Sequence, residues 1–294
     1  MAQLRIATRS SALAMWQAEH VAGLLRATYP GLRLELVPLS TEGDRRTDVP
    51  LAEIGGKGVF ATEVQQALLD GRADLAVHSA KDLPAVTPAE LVITAVPPRG
   101  DPRDALVGTP LADLPPGATV ATGSARRRAL LADQRPDLVF AELRGNMATR
   151  LEKARDFDAA VVAGVALQRL GLADRISDWL DPELFVPQVA QAALAVECRA
   201  DDRATRELVA AIDDAAAHRR VSAERAFLVE LGGDCSLPAA AHAVIDEAGE
   251  IVVSGMLAST PGGRLVRGRL SSADDPNPGA RLAAELRARL TAPA

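Results

Sequence analysis

Short apolar runs alternate with amphipathic segments twice over in this chain, and no other feature narrows the fold as much. "LRIAT" reads as a strand and residues 11–28 as a helix opened by a serine cap, followed by the strand "RLELVPL", a helix at 59–69 and the strand "DLAVHSA". Such an alternation folds as a parallel or mixed sheet covered by helices. After the Pro/Gly-rich stretch 97–102 the pattern returns: "ATVATGS" runs into a helix at 125–133, "DLVFAEL" is a strand, 147–155 a helix and "AAVVAG" a strand. Residues 189–217 read as largely helical. Beyond His218 come one helix, a glycine-rich turn, the strands "AAAHAVID", "EIVVSGMLAS" and "GRLVRGRLS", and a last helix at 280–290. The expected fold class is α/β, with domains at 1–96 plus 190–214, at 97–189, and a small α+β domain at 215–294. Two α/β lobes would take a ligand between them, at the carboxyl ends of their strands.

Charge narrows the partners. A formal net charge of −6 argues against nucleic acid, whose binding needs a basic face to displace counterions. No apolar stretch approaches the roughly 20 residues that span a bilayer, and Arg5 and Arg9 interrupt the opening segment, so the chain is expected in the cytoplasm and off the membrane. Two cysteines, Cys198 and Cys235, without C-x-x-C or histidine-rich company, point to reduced thiols and to no metal site. Cys235 is the unusual one, because "LGGDCSLPA" sets it in a turn rather than in an apolar run.

The strand ends carry the chemistry. Arg9-Ser10-Ser11, Ser40-Thr41, Ser79 to Asp82, Ser124 with Arg126 and Arg127, and Arg144-Gly145-Asn146 with Arg150 all fall where strands finish. Any one of these arginines alone reads as a solvated helix residue; five segments converging by topology read as a site for several carboxylates or phosphates. Within "HSAKDLP", Asp82 could oppose a developing cation or shuttle a proton, although an ordinary Lys–Asp turn fits those residues equally well. "GGKGVF" lacks phosphate-loop spacing and fits a lid or a solvent-exposed hinge. The absence of G-x-S-x-G, H-E-x-x-H and G-x-G-x-x-G removes the common hydrolase, metalloprotease and dinucleotide readings.

Taken together, "IATRSSALAMWQA", "STEGDR", "IGGKGVF", "DLAVHSAKDLP", "TGSARRR", "LRGNMATRL", "AAVVAGVALQRLG", "VECR" and "GGDCSLP" resemble the porphobilinogen deaminase (hydroxymethylbilane synthase) family nearly end to end. The resemblance implies two lobes like those of type II periplasmic binding proteins and a third domain bearing a cofactor cysteine. It implies a transferase of porphyrin and heme biosynthesis that joins four molecules of porphobilinogen head to tail with loss of ammonia, then releases the linear tetrapyrrole by hydrolysis. Cys235 would hold the dipyrromethane cofactor by a thioether, and Asp82 would be catalytic. Lys81, Ser79, Ser124, Arg126, Arg127, Arg144 and Gly145 match cofactor-binding positions, and Arg9, Ser11, Arg150, Arg169 and Gln191 substrate-binding ones. A monomer is implied.

Two stretches depart from the family pattern. Ala121-Thr122-Gly123-Ser124 replaces G-T-S-S and loses one hydroxyl; Ala190-Gln191-Ala192 replaces G-Q-G, which would stiffen a hinge or force another backbone path. Asp234 beside Cys235 would raise the thiol pKa slightly. Two other classes fit parts of the chain. A non-catalytic anion-binding protein of the two-lobed kind gives no reason for the cysteine turn, and a thiol enzyme using Cys235 would want His78 or His242 as its base.

Overall fold

The computed structural model describes residues 3–41, 61–232, 238–259 and 263–292. Cys235 with its turn, and the glycine-rich stretch 55–60, lie outside the described residues. The strands are β1 (Gln3–Arg9), β2 (Arg33–Leu39), β3 (Leu75–Ser79), β4 (Leu91–Ala95), β5 (Asp104–Gly108), β6 (Thr119–Ala121), β7 (Val139–Ala141), β8 (Ala159–Ala163), β9 (Asp178–Trp179), β10 (Leu194–Arg199), β11 (Ala239–Ile245), β12 (Ile251–Ala258) and β13 (Leu265–Ser271). The helices are α1 (Ala12–Thr28), α2 (Thr62–Leu69), α3 (Ala125–Gln134), α4 (Met147–Lys153), α5 (Gly164–Arg169), α6 (Arg203–Ala210), α7 (Ala215–Glu230) and α8 (Pro278–Thr291). Contacts divide the chain into two compact units, residues 1–100 with 192–219 and residues 101–191 with 220–294. None of the described helices is long and apolar enough to cross a membrane.

The first unit is built on a five-stranded sheet in the order β2-β1-β3-β10-β4. β1 pairs in parallel with β2 and β3, registering Ile6 with Leu75, so both central strands finish at the same edge of the sheet. Helix α1 starts where Ser11 ends the β1 turn, the Ser11 hydroxyl accepting the Ala14 N–H at 3.4 Å. Its inner face is Ala14, Gln17, Ala18, Val21, Ala22 and Leu25, a three-and-four spacing that puts these residues on one stripe. Val21 and Leu25 lose all solvent contact, each worth about 1.5–3 kcal/mol of burial.

Residues 194–199 correct the helical expectation for 189–217. They form β10, which runs antiparallel between β3 and β4 and is buried along nearly its whole length. A strand buried on both faces carries a mostly apolar run, here "LAVEC" with the single buried acid Glu197, and such a run has no alternation by which to tell it from a buried helix. The short strands β4, β5 and β9 escape notice for related reasons: each has two to five residues and borders proline- or aspartate-rich sequence.

The second unit repeats the arrangement, its sheet running β7-β6-β8-β5-β9 with β5 antiparallel to both neighbours. With the antiparallel strand set aside, both sheets run second, first, third, fourth, and the antiparallel strand sits between third and fourth; it is the last strand of the first sheet in chain order, β10, and the first of the second, β5. That repeated order is the type II lobe architecture implied by the resemblance. The same unit holds the antiparallel sheet β11-β12-β13, against which α8 packs. Met256 and Ala258 of β12 share one buried cluster with Leu106, Val120, Leu131 and Phe185.

Candidate active site

In the first unit the matched residues gather at the carboxyl ends of β1 and β3. Arg9 closes β1, and β3 ends at Ser79 and enters a single 3-10 turn, Ala80–Asp82, held by the Ala80 N–H donating to the Ala193 carbonyl at 3.0 Å. Proline follows at position 84 and the chain turns away. Asp82 Oδ2 stands 3.8 Å from Arg9 Nη1, with the side chains 30% and 23% exposed. Both groups are thus within reach of a ligand. Lys81 is half-buried on the same turn. The Ser79 hydroxyl faces the amide of Gln17, 2.8 Å from its Nε2 and 3.2 Å from its Oε1. Behind the turn, buried His78 Nε2 lies 3.0 Å from Glu197 Oε2, and Gln65 donates to both Glu197 oxygens.

In the second unit a buried charge cluster forms at the start of α3. Ser124 caps that helix, its hydroxyl accepting the Arg127 N–H at 3.4 Å. The next turn brings Arg126 and Arg127 onto Asp104, which opens β5 and is 1% exposed. Arg126 Nη2 donates to Asp104 Oδ2 at 2.6 Å; Arg127 Nε and Nη2 donate to Oδ1 at 3.1 and 2.9 Å. The carbonyls of Val186 and Val161 take one further bond each, from Arg126 Nη1 and Arg127 Nη1. Gln191, fully buried, donates to Asp104 Oδ1 at 2.8 Å.

Burial by itself would raise the Asp104 pKa, but the two guanidiniums and the bonds from Arg127 and Gln191 hold it far below the usual carboxylate range. Burial also lowers the Arg126 pKa, against the pull of Asp104. One carboxylate against two guanidiniums leaves a positive charge in excess, shielded from water. An excess of that kind is costly until an anion meets it.

Among the matched arginines of this unit, two donor atoms lack a hydrogen-bond partner among the described residues. Arg126 Nε and Arg144 Nη1 are both buried and unbonded. Arg144 follows β7, and Gly145 next to it has φ +113°, where an added Cβ would stand 2.8 Å from Thr149. Only glycine keeps this backbone path. Arg150 Nε donates back to the Gly145 carbonyl at 2.8 Å, and Asn146 caps α4. Arg169 ends α5, where burial lowers its pKa to about 10. Gly123 is tightly placed too: a Cβ there would be 3.0 Å from the Leu143 carbonyl oxygen, and the neighbouring Thr122 hydroxyl accepts the Ser124 N–H.

Comparison with known proteins agrees with this chemistry. Residues 4–207 match the family model described as "Porphobilinogen deaminase, dipyromethane cofactor binding domain", and residues 218–291 that described as "Porphobilinogen deaminase, C-terminal domain". The chain belongs to the porphobilinogen deaminase family. The relative named "Porphobilinogen deaminase" from Syntrophotalea carbinolica is 48% identical over 274 residues, covering 92% of this chain and 87% of the relative. Its namesake in Nitratidesulfovibrio vulgaris is 45% identical over 282 residues, covering 94% and 89%. Among solved structures the "Methionine Binding Protein, MetQ" is 16% identical with a TM-score of 0.45, covering 79% of this chain and 96% of that one. Family membership makes the chain a transferase with a dipyrromethane cofactor. The residues fit that group: a dipyrromethane bearing acetate and propionate arms is a polyanion, and buried, unbonded guanidinium donors are what such arms require.

Several residues of this arrangement carry no sequence signal of their own. Asp104, Gln17, Gln65 and Glu197 become visible only through their partners. The one available hint was an acid opening the apolar run "DALVG". Both candidate histidine bases face glutamates, His78 on Glu197 and His242, whose Nδ1 lies 3.3 Å from Glu224 Oε1.

Proposed function

We propose that this chain condenses porphobilinogen stepwise on a dipyrromethane primer bound through Cys235, with Asp82 as the catalytic group. The observation that carries this reading is the buried positive excess at Asp104, Arg126 and Arg127, with unbonded donors at Arg126 Nε and Arg144 Nη1. When bound, the primer supplies a nucleophilic pyrrole carbon. Arg126, Arg127, Arg144, Ser79, Ser124 and Lys81 would take its carboxylates, with Gly145 offering main-chain approach; Arg9, Ser11, Arg150 and Arg169 would serve the incoming substrate, while Gln191, matched to a substrate position, is fully buried with its amide donating to Asp104 and the Pro102 carbonyl. Asp82 accepts a ring N–H, opposes positive charge as it develops on the pyrrole, and takes up the proton lost when the new bond is complete. Arg9 Nη1, 3.8 Å away, places a positive charge beside the Asp82 carboxylate.

The test uses intact mass and turnover together. Cys235→Ser should lose a mass excess of two linked pyrrole units. Asp82→Asn should keep that mass while turnover falls by about 10²–10⁴-fold, as expected for removal of a charge-stabilising proton carrier. Near-normal turnover in Asp82→Asn would remove Asp82 from the chemistry. The reading further includes a cytoplasmic monomer that acts on a small molecule, with neither nucleic acid nor membrane as partner; light scattering that finds a dimer would overturn the monomer.

A further inference from the structure

Gln191 ends one compact unit and Ala192 begins the return into the other. Among the described residues, Ala190 and Ala192 are the only non-glycine positions with positive φ, +58° and +70°. The left-handed region is unfavourable for any residue with a Cβ. Two such residues bracket one side chain, so the backbone holds a strained path that sets where Gln191 points. Ala190 is tied down by its N–H, which donates to buried Glu224 Oε2 at 2.6 Å, and the Ala192 carbonyl accepts the Gly100 N–H.

The path delivers the Gln191 amide to Asp104. Nε2 has two hydrogens; one goes to Asp104 Oδ1 and one to the Pro102 carbonyl, each at 2.8 Å. Asp104 Oδ1 then accepts three donors, one from Gln191 and two from Arg127, while Oδ2 accepts Arg126. With about four acceptor sites on a carboxylate, the set is full. Turning the carboxylate would break bonds to both guanidiniums at once. Gln191 adds a bond to Asp104 Oδ1 that neither guanidinium supplies.

We propose that Gln191 is a positioning residue: through Asp104 it fixes the orientation of Arg126 and Arg127, so that their remaining N–H groups meet the carboxylates of the primer. The inference rests on the reading that these arginines bind primer carboxylates, and it differs from direct contact between Gln191 and substrate. Direct contact predicts an effect independent of the arginine pair. Positioning predicts an effect that disappears once the pair is altered.

A double-mutant cycle separates the two. Primer-free protein is mixed with porphobilinogen, and the rate constant for primer loading is followed by intact mass in wild type, Gln191→Met, Arg127→Lys and the double variant. Met keeps the volume of Gln and removes its donors. Each single variant is expected to load about ten-fold more slowly or worse, and the double variant no more slowly than the worse single. In the loaded Gln191→Met enzyme, KM should rise by a larger factor than kcat falls. Gln191→Asn, one methylene too short to reach Asp104, should show the same coupling with Arg127→Lys, and it serves if the Met variant is unstable. Losses that multiply in the double variant would overturn the role given to Gln191 alone. Unchanged loading in Arg127→Lys would refute the anion-site reading itself, and this inference with it.

Discussion

Replacing Asp104 by Asn tests the buried cluster directly, because the change conserves shape and removes the only anion in the group. Asp104 is 1% exposed and accepts four side-chain bonds between 2.6 and 3.1 Å. An asparagine oxygen at the Oδ1 position would keep neutral versions of three of them. Its NH2 group would then face Arg126 Nη2, donor against donor, at the shortest contact of the set. Two buried guanidiniums would also be left without a counter-charge. Removing one partner of a buried ion pair costs about 3–5 kcal/mol, and at about 2–4 °C per kcal/mol for domains of this size the melting temperature should fall by roughly 6–20 °C. The assay is thermal unfolding followed by circular dichroism, in a Cys235→Ser background so that primer occupancy is equal. The sign with pH follows from the depressed carboxyl: its contribution is complete above the unfolded value near ~3.9 and is lost as pH falls below it. The gap between the two proteins should therefore hold from neutral pH down to about pH 5 and narrow below about pH 4. Added sulfate should raise the variant's melting temperature more than the parent's, since an anion that binds only the folded form stabilises it by mass action. A melting temperature within about 2 °C of the parent at pH 7 would refute the claim that the cluster is dry and tightly coupled.

Two further expectations concern stability and reactivity. Ala190→Gly and Ala192→Gly should each relieve about 1–2 kcal/mol of left-handed strain, offset by the ~0.4–1 kcal/mol that glycine adds to unfolded-state entropy, and so raise the melting temperature slightly; a fall in either variant would show that these alanines sit at no cost. The Cys198 thiol, pushed up to about 11 by burial, keeps its proton between pH 9 and 11 where an unfolded thiol loses it, so alkaline pH should remove about 2–3 kcal/mol of stability that Cys198→Ala does not lose. Parallel pH curves for the two proteins would contradict that. At pH 8 the same thiol should stay silent to Ellman's reagent until the protein unfolds, and prompt modification of Cys198 in the native state would mean that its site opens.

Much of this protein is written locally. Ser11, Ser124 and Asn146 each open a helix by accepting an N–H three residues on, and the first halves of both sheets follow from strand and helix periods that any short window displays. Arg9, Asp82, Arg144 and Gly145 are legible for a related reason: a polar residue that ends a parallel strand stands at the ligand edge of the sheet whatever its distant partners are. Tertiary structure decided the rest. The run "LAVEC" became a strand because β3 and β4 leave a slot between them, and a both-sides-buried segment carries no period to announce it. Asp104 found Arg127 across 23 residues and Gln191 across 87, and no propensity links positions so far apart. The same separation explains Ala190 and Ala192. Sequence alone makes an alanine there look like a change of path, whereas the bonds to Glu224 and Asp104 hold the left-handed turn, because unmaking a buried hydrogen bond to a charged group costs more than a strained φ.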